Sequence, residues 1–390
     1  MKPAIAFLRR AIFIFATLWL TTIYSSAFQS SNDFEAGRVY VLTNAAEGNS
    51  IVVLDRAADG TLAREEEVST GGLGSGPLAG PPPIGGPNPL DSQDALIESP
   101  DGRFLIAVNP GSNEVSVLAI TDDGLRLVSK TSSLGEFPVS LAAHDRLIYV
   151  LNSHGEPNIN GFWLDFTGQL HAIPQSTRSA GAPGSAPAQV AFSSNGKLLI
   201  ITERLANLID IFRMSEDGTP GNHTQLVSNN HTPFGVSFGR HQTIAITETN
   251  ERVPRIPVLG GASVSTYRIT DDTLEPISEA VPDHQSAACW IRITPDGRFA
   301  FVANTGSGTL SSYLVSRNGE LTLLTEIAAD TGGPKSVPID LSITRNGKYL
   351  YVLSSLIGTV QGYQIGPDGS LIPVTSVNGF PISIQGIVAL

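Results

Sequence analysis

The chain has 390 residues, with 24 Lys and Arg against 36 Asp and Glu, a net charge of −12 and a single cysteine. An acidic chain without a basic cluster excludes nucleic acid as a partner, because phosphate binding depends on such clusters. One cysteine excludes an internal disulfide framework, and an internal repeat overrides the two or three domains that the length alone would allow.

Met1 to Ala27 reads as a secretory signal peptide. Lys2, Arg9 and Arg10 precede the apolar run Ala11 to Leu20, and Ser25 and Ala27 hold the small-residue positions before a cleavage point. The run is short for a membrane span of roughly 20 residues, and no later stretch approaches that length. Removing the three basic residues leaves 21 Lys and Arg against 36 Asp and Glu, near −15. The expectation is an exported, soluble monomer, secreted to the periplasm or the extracellular space. Residues 28–36 form a short linker.

From residue 37 onward one unit recurs. Its most complete copy is Ala288 to Ile327, ACWIRITPDGRFAFVANTGSGTLSSYLVSRNGELTLLTEI. An apolar run turns at Asp296-Gly297 into the strand Arg298 to Asn304. A third strand, Gly308 to Val315, turns at Asn318-Gly319 into a fourth, Glu320 to Ile327. Asp-Gly and Asn-Gly between alternating runs are hairpin signals, since both turn residues accept positive φ at little cost. The turn between third and fourth strands recurs at Gly60, Gly124, Gly168, Gly218, Asp272, Gly319 and Gly369. A period near ~50 residues with four strands per repeat predicts an all-β, seven-bladed β-propeller over 37–390, with four-stranded antiparallel blades.

The first blade supplies only Arg38 to Asn44, Ser50 to Asp55 and Leu62 to Val68, with no innermost strand. Ser383 to Leu390 has the inner-strand pattern, so the C-terminal segment is expected to complete blade 1 and close the ring, leaving no open sheet edge. Thr70 to Pro89, rich in Gly and Pro, cannot pair as strand and is predicted to be a loop insert. The sequons at Asn222 and Asn230 matter only in a cell that glycosylates.

Aligning the repeats gives two rings of candidate positions. The inner strands open with Gln385-Gly386, Asp94-Ala95, Val139-Ser140, Ala188-Gln189, Phe234-Gly235, Cys289-Trp290 and Ile339-Asp340. The second strands end on Asn44, Asn109, Asn152, Glu203, Glu248, Asn304 and Ser354. Opening a lactone would need a general base and a donor or cation for the oxyanion. Glu203, Arg204, Glu248 and Asp340 are the candidates, with Glu251 and Arg252 near Glu248; the competing reading makes Glu203 and Glu248 solvated charges at strand ends. Asp94, Gln189, Trp290, Asn109, Asn152 and Asn304 are candidate ligand contacts. No cofactor is expected and no metal ligands are assigned, although Asp94 and Asp340 near the axis would suit an oxygen-seeking cation such as Ca²⁺. Cys289 among apolar neighbours reads as core. The histidines are dispersed, without metal-ligand spacing, and no G-x-S-x-G nucleophile elbow is present.

The repeats GRVYVLTNAAEGNSIVVLD, GRFAFVANTGSGTLSSYLV and GKYLYVLSSLIGTVQGYQI resemble those of the seven-bladed lactonase-like propellers, which include propeller-type 6-phosphogluconolactonase and fungal carboxymuconate cycloisomerase. The resemblance covers residues 37–390. It implies hydrolysis or isomerisation of a small lactone or organic acid at the channel mouth. Active members carry a Pro-His element at inner-strand starts, where this chain reads Pro138-Val139, Pro187-Ala188, Pro233-Phe234 and Pro338-Ile339. That departure leaves a second reading open: a non-catalytic propeller that binds a small molecule, a glycan or an extracellular protein partner.

Overall fold

A computed structural model describes residues 35–77, 89–252 and 256–390. The proposed signal peptide and most of the linker lie outside the described residues, as does the middle of the Gly/Pro-rich insert. Seven antiparallel sheets follow one another, each ordered from an inner strand to an outer one, so the fold is a seven-bladed β-propeller. The sixth blade, Ala288–Ile293, Phe299–Asn304, Thr309–Val315 and Leu321–Asp330, reproduces the unit predicted from sequence. Blade 3 departs most. Its outer edge is divided between Leu170–Ala172 and Arg178–Ser179, both paired with Asn158–Leu164.

Most second strands are buried along their whole length, as in Phe104–Asn109, Leu198–Glu203 and Tyr349–Ser354, whereas that of blade 3 emerges at Ser153 and His154. Outer strands such as Leu321–Asp330 expose most of their residues. That gradient follows from stacking: inner and second strands pack between neighbouring blades, and only the rim meets water. Four of the turns from inner to second strand share one chemistry. Ser99, Ser193, Thr294 and Thr344 donate their hydroxyls to Asp101, Asn195, Asp296 and Asn346, and a glycine at positive φ follows each acceptor.

The ring closes as expected. Ile387–Ala389 pairs antiparallel with Gly37–Leu42, in the register Val39 to Ala389 and Val41 to Ile387. The regular ladder is shorter than the eight-residue strand read from sequence, because Gly386 takes φ 106° and kinks the segment. A Cβ there would stand 2.9 Å from Leu96 Cβ, so glycine is required. Bonds from Leu42 N to Gly386 O (3.0 Å) and Leu390 N to Arg38 O (2.8 Å) continue the ladder on both sides. Arg56, buried, donates through Nε and Nη2 to Leu390 O at 3.2 and 3.0 Å.

The axis is not an open channel. Sequence alignment started the blade 2 inner strand at Gln93, but the regular strand is Leu96–Glu98 and the preceding residues cross the axis. Gln93 Nε2 donates to Val236 O at 2.9 Å and its Oε1 accepts from Ile291 N at 3.1 Å, which ties blades 5 and 6 to blade 2. Ser92 Oγ donates to Val139 O (2.7 Å), and Ser92 O accepts from Trp290 Nε1 (2.8 Å) and Gln385 Nε2 (2.6 Å). One side-chain amide satisfies backbone groups of two blades that a straight strand would leave unpaired. Ser92, Gln93, Trp290 and Gln385 are all fully buried, so the disc has two separate mouths.

Candidate functional site

The inner-strand positions picked out by alignment coincide with a structural device. In blades 3 to 7 the register of inner against second strand shifts there, at Pro138/Ser140, Pro187/Gln189, Pro233/Val236, Ala288/Trp290 and Ile339/Leu341. A bulge turns side chains out of the blade plane. It swings Gln189 and Asp340 toward the axis on one side of the Gln93 crossing.

Three residues chosen from sequence meet there with one that was not. Arg292 Nη2 lies 2.5 Å from Asp94 Oδ1 and 3.8 Å from Asp340 Oδ1, and Gln189 Nε2 donates to Asp94 Oδ2 at 2.6 Å. Asp94 and Asp340 both hold positive φ, 64° and 52°, a conformation that costs a non-glycine residue roughly 1 kcal/mol or more and persists where the surroundings fix it. Asp340 is buried, and its Oδ2 has no hydrogen-bond partner among the described residues. Burial pushes its carboxyl up to about 7, against the pull of Arg292. This mouth opens into a cavity of about 270 Å³ that Glu98 also lines. Both Asp94 oxygens already accept N–H donors, which leaves them poorly placed to hold Ca²⁺. Among the described residues no group of three or more His, Cys, Asp or Glu converges on a point.

The second ring is not a lining at all: Asn44, Asn109, Asn152, Glu203, Glu248, Asn304 and Ser354 are all buried at 0 or 1 % exposure. Asn44 holds the start of the insert, donating to Ser75 Oγ at 2.8 Å, and the others brace their own blades, mostly second strand to third. Asn109 Nδ2 donates to Ser116 Oγ (2.7 Å), Asn304 Nδ2 to Ser311 Oγ (2.7 Å) and Ser354 Oγ to Gln361 Oε1 (2.7 Å), each pair seven residues apart. Asn152 donates to Ser133 O and Asn158 Oδ1. Glu248 is the same clamp in acidic form, with Ser263 and Ser265 donating to it at 2.6 Å each. Burial raises its carboxyl and the hydroxyl donors oppose that. In blade 4 the clamp joins two acids: Glu203 with Asp210, seven residues on. Burial first, and Asp210 second, lift Glu203 to about 8. Asp210 also accepts from Gln225 Nε2 at 2.9 Å, and His223 Nε2 lies 2.9 Å from the same oxygen. Neither glutamate is a solvated strand-end charge, and neither reaches a mouth.

The opposite mouth, where inner strands begin and second strands end, holds a cavity of about 390 Å³ lined by Asp91, Phe137, Ser153, His154, Arg204 and Leu205, among others. Arg204, the one candidate of the acid–base set that lies here, donates to Asp91 Oδ2 at 2.9 Å and to Ala186 O at 3.3 Å and stacks over the Phe234 ring at 5.5 Å. His154 Nδ1 is 3.0 Å from Ser153 Oγ, and its ring packs on Phe137 at 4.0 Å between centroids. Partial burial lowers the imidazole below its ordinary value, opposed by Glu136. Sequence reasoning missed Asp91, on an irregular segment, and His154, at the end of the strand Leu147–His154 in another blade, because the two share no spacing. Trp290 does not line this cavity; it packs edge-on against Phe234 in the closed axis.

A profile of the family described as "Lactonase, 7-bladed beta-propeller" matches residues 262–379, from the third strand of blade 5 to the end of blade 7. Over that stretch the chain resembles the family, and the whole described chain has the seven-bladed β-propeller fold. This fold is shared with a candidate 6-phosphogluconolactonase from Bacteroides uniformis, at 20% identity and TM-score 0.66 over 89% of this chain and 99% of the other. It is also shared with the periplasmic gluconolactonase of Pseudomonas aeruginosa, at 18% identity and TM-score 0.66 over 91% and 99%. A hypothetical selenium-binding protein from Sulfolobus tokodaii has the same fold at 12% identity and TM-score 0.61, over 90% of this chain and 92% of the other. At such identities the likeness concerns the fold. No curated protein matches the chain in sequence. Among the described residues no helix is long and apolar enough to cross a membrane.

Proposed function

We propose that the protein hydrolyses a small lactone at the mouth lined by Asp91, His154 and Arg204. The observation that carries this reading is one cavity of about 390 Å³ that combines an imidazole with a guanidinium, a volume within the ~300–1,000 Å³ of small-molecule sites. His154, kept neutral at pH 7 by its lowered pKa, takes a proton from water as the oxygen adds to the lactone carbonyl carbon. Arg204, held in place by Asp91, faces the oxyanion of the tetrahedral intermediate. When the ring C–O bond breaks, the imidazolium returns its proton to the departing alkoxide and the product is a hydroxy acid. In this scheme the base is His154 rather than Glu203 or Glu248, which stay inside their blades.

The P. aeruginosa neighbour is named for gluconolactone, and sugar δ-lactones are therefore the first substrates to try. Lactone turnover would be followed by acid release in a pH-stat. His154→Gln should lower kcat by ~10²–10⁴ and Arg204→Ala by ~10²–10³, with the far-ultraviolet circular dichroism unchanged. Wild-type turnover that both variants retain would overturn the assignment. One observation favours the alternative of binding without turnover: Arg204 is already paired with Asp91. Saturable lactone binding with no acid release would decide for it. We further propose export through residues 1–27, tested by recovery of the processed chain outside the cytoplasm.

A further inference from the structure

On the opposite face, between the rims of blades 5 and 6, a cavity of about 560 Å³ is lined by Arg240, His241, Asp296, Arg298 and Arg317, among others. Three turns build it: the inner hairpin turn of blade 5, that of blade 6, and the outer turn of blade 6. In a chain of net charge −12 this gathering of guanidinium groups is out of keeping with the surface around it. Some arginines elsewhere are neutralised, as in Arg38 with Glu65, Arg103 with Asp101, Arg213 with Asp272 and Arg345 with Glu98, and others such as Arg126 and Arg268 stand singly rather than in a group. Among the described residues Arg240, Arg298 and Arg317 form no ion pair. The acid among them, Asp296, already accepts from Thr294 Oγ1 at 2.5 Å and Arg298 N at 3.0 Å.

Two features show that this composition is local to blades 5 and 6. Where Arg317 precedes the Asn318-Gly319 turn, the equivalent positions of blades 2, 4 and 5 carry Asp122, Glu216 and Asp271. The blade 5 inner turn also abandons the Asp/Asn-Gly chemistry of its neighbours. His241 and Gln242 take φ 56° and 59°, as in a type I′ turn, without the glycine that such turns favour. Thr243 N and Oγ1 both donate to Arg240 O and hold that strained turn. Gly297 gives Arg240 its room, because a Cβ there would lie 2.8 Å from Arg240 Cγ.

We infer that this cavity is an anion site for a phosphomonoester. Arg240 and Arg317 supply the free guanidinium groups, while Arg298, whose Nη2 donates to Pro367 O at 3.1 Å, adds its charge alone; three cations against one carboxylate leave a local charge of +2 with His241 neutral, which matches the −1.5 to −2 of a phosphomonoester near pH 7. Guanidinium forks suit phosphate oxygens, and the volume leaves space for a small organic group beyond the phosphate. The inference does not depend on the lactone reading, since the two cavities lie on opposite faces of the disc.

Glycerol 3-phosphate, inorganic phosphate, citrate and glycerol would be titrated by calorimetry into the full protein at low, matched ionic strength. Glycerol 3-phosphate and phosphate should bind saturably, and glycerol should not. Arg240→Gln or Arg317→Gln should each weaken binding about tenfold, as expected for loss of one charge-assisted contact, while Arg126→Gln on the blade 2 rim should leave it unchanged. Binding that survives the Arg240→Gln/Arg317→Gln pair would place the ion elsewhere and overturn the inference. So would citrate binding more tightly than glycerol 3-phosphate, or no saturable binding by either phosphate. The substituted side chains are exposed, so matched thermal transitions would separate lost binding from lost folding.

Discussion

Replacing Glu203 by Gln should make the protein more stable, and increasingly so as the pH rises. Buried Glu203 is lifted from 4.5 to about 8, so the folded state keeps a proton that the unfolded chain has already released. A raised acid contributes its full share below the unfolded value and loses it as pH rises through the folded one. The window is therefore about pH 4.5 to 8. At ~1.36 kcal/mol per pKa unit, the whole displacement corresponds to roughly 5 kcal/mol, with about 3 kcal/mol already lost by pH 7. Gln cannot ionise, and its amide can donate to Asp210 as the protonated carboxyl does, so the clamp survives the change. Urea unfolding followed by tryptophan fluorescence, run on both proteins at pH 5, 6.5 and 8, reads the difference directly. Other raised acids, such as Asp283 and Asp340, titrate in both proteins and cancel in the comparison. A stability gap that stays constant from pH 5 to 8 would refute the shared-proton account of blade 4.

Three further outcomes follow from the same contacts. Removing residues 383–390 strips blade 1 of its inner strand and Arg56 of its carbonyl partner; the melting temperature should drop by more than ~10 °C, and a fall of only a degree or two would count against closure by this segment. Gly181→Ala forces a Cβ to 1.8 Å from Glu203 Oε2 at φ 103°, so a loss of about 2 kcal/mol or more is expected in chemical denaturation, and a neutral result would show that the clamp has slack. If His154 is the base, lactone turnover should hold its plateau to below pH 6.5 and then fall as the imidazole gains its proton; an acid limb that persists unchanged in His154→Gln would assign that titration to another group.

The repeat made the architecture legible. Seven copies of one turn set the blade count, and the missing strand of blade 1 together with the pattern of Ser383 to Leu390 implies the closure that the ladder shows. Alignment also located the inner-strand positions that prove to be bulges, and so brought Asp94, Gln189 and Asp340 to one mouth. It failed where position along the strand was taken for exposure. The last residue of a second strand looks as though it should face a loop, yet its side chain turns back on the third strand seven residues later. That signal was present in Asn109 with Ser116 and Asn304 with Ser311, and it would have identified Glu203 with Asp210 as a buried acid pair.

What periodicity cannot encode is the departure from it, and both cavities with chemical character are built from departures. Leu90 to Asp94 leaves the strand pattern because the Gln93 amide bonds across the axis, and in doing so it sets Asp91 beside Arg204 from blade 4 and His154 from blade 3. Arg240 and Arg317 break the turn chemistry that their sister blades keep. A propeller's repeated positions are committed to blade packing, where Asn, Ser and even Glu are consumed as clamps. Side chains available for ligands must then come from residues that differ between blades, and these gather where unlike loops meet. On that reasoning, exchanging Asn109 for Ala should weaken blade 2 without altering ligand binding, whereas exchanging His154 or Arg240 should alter binding and leave the blades intact.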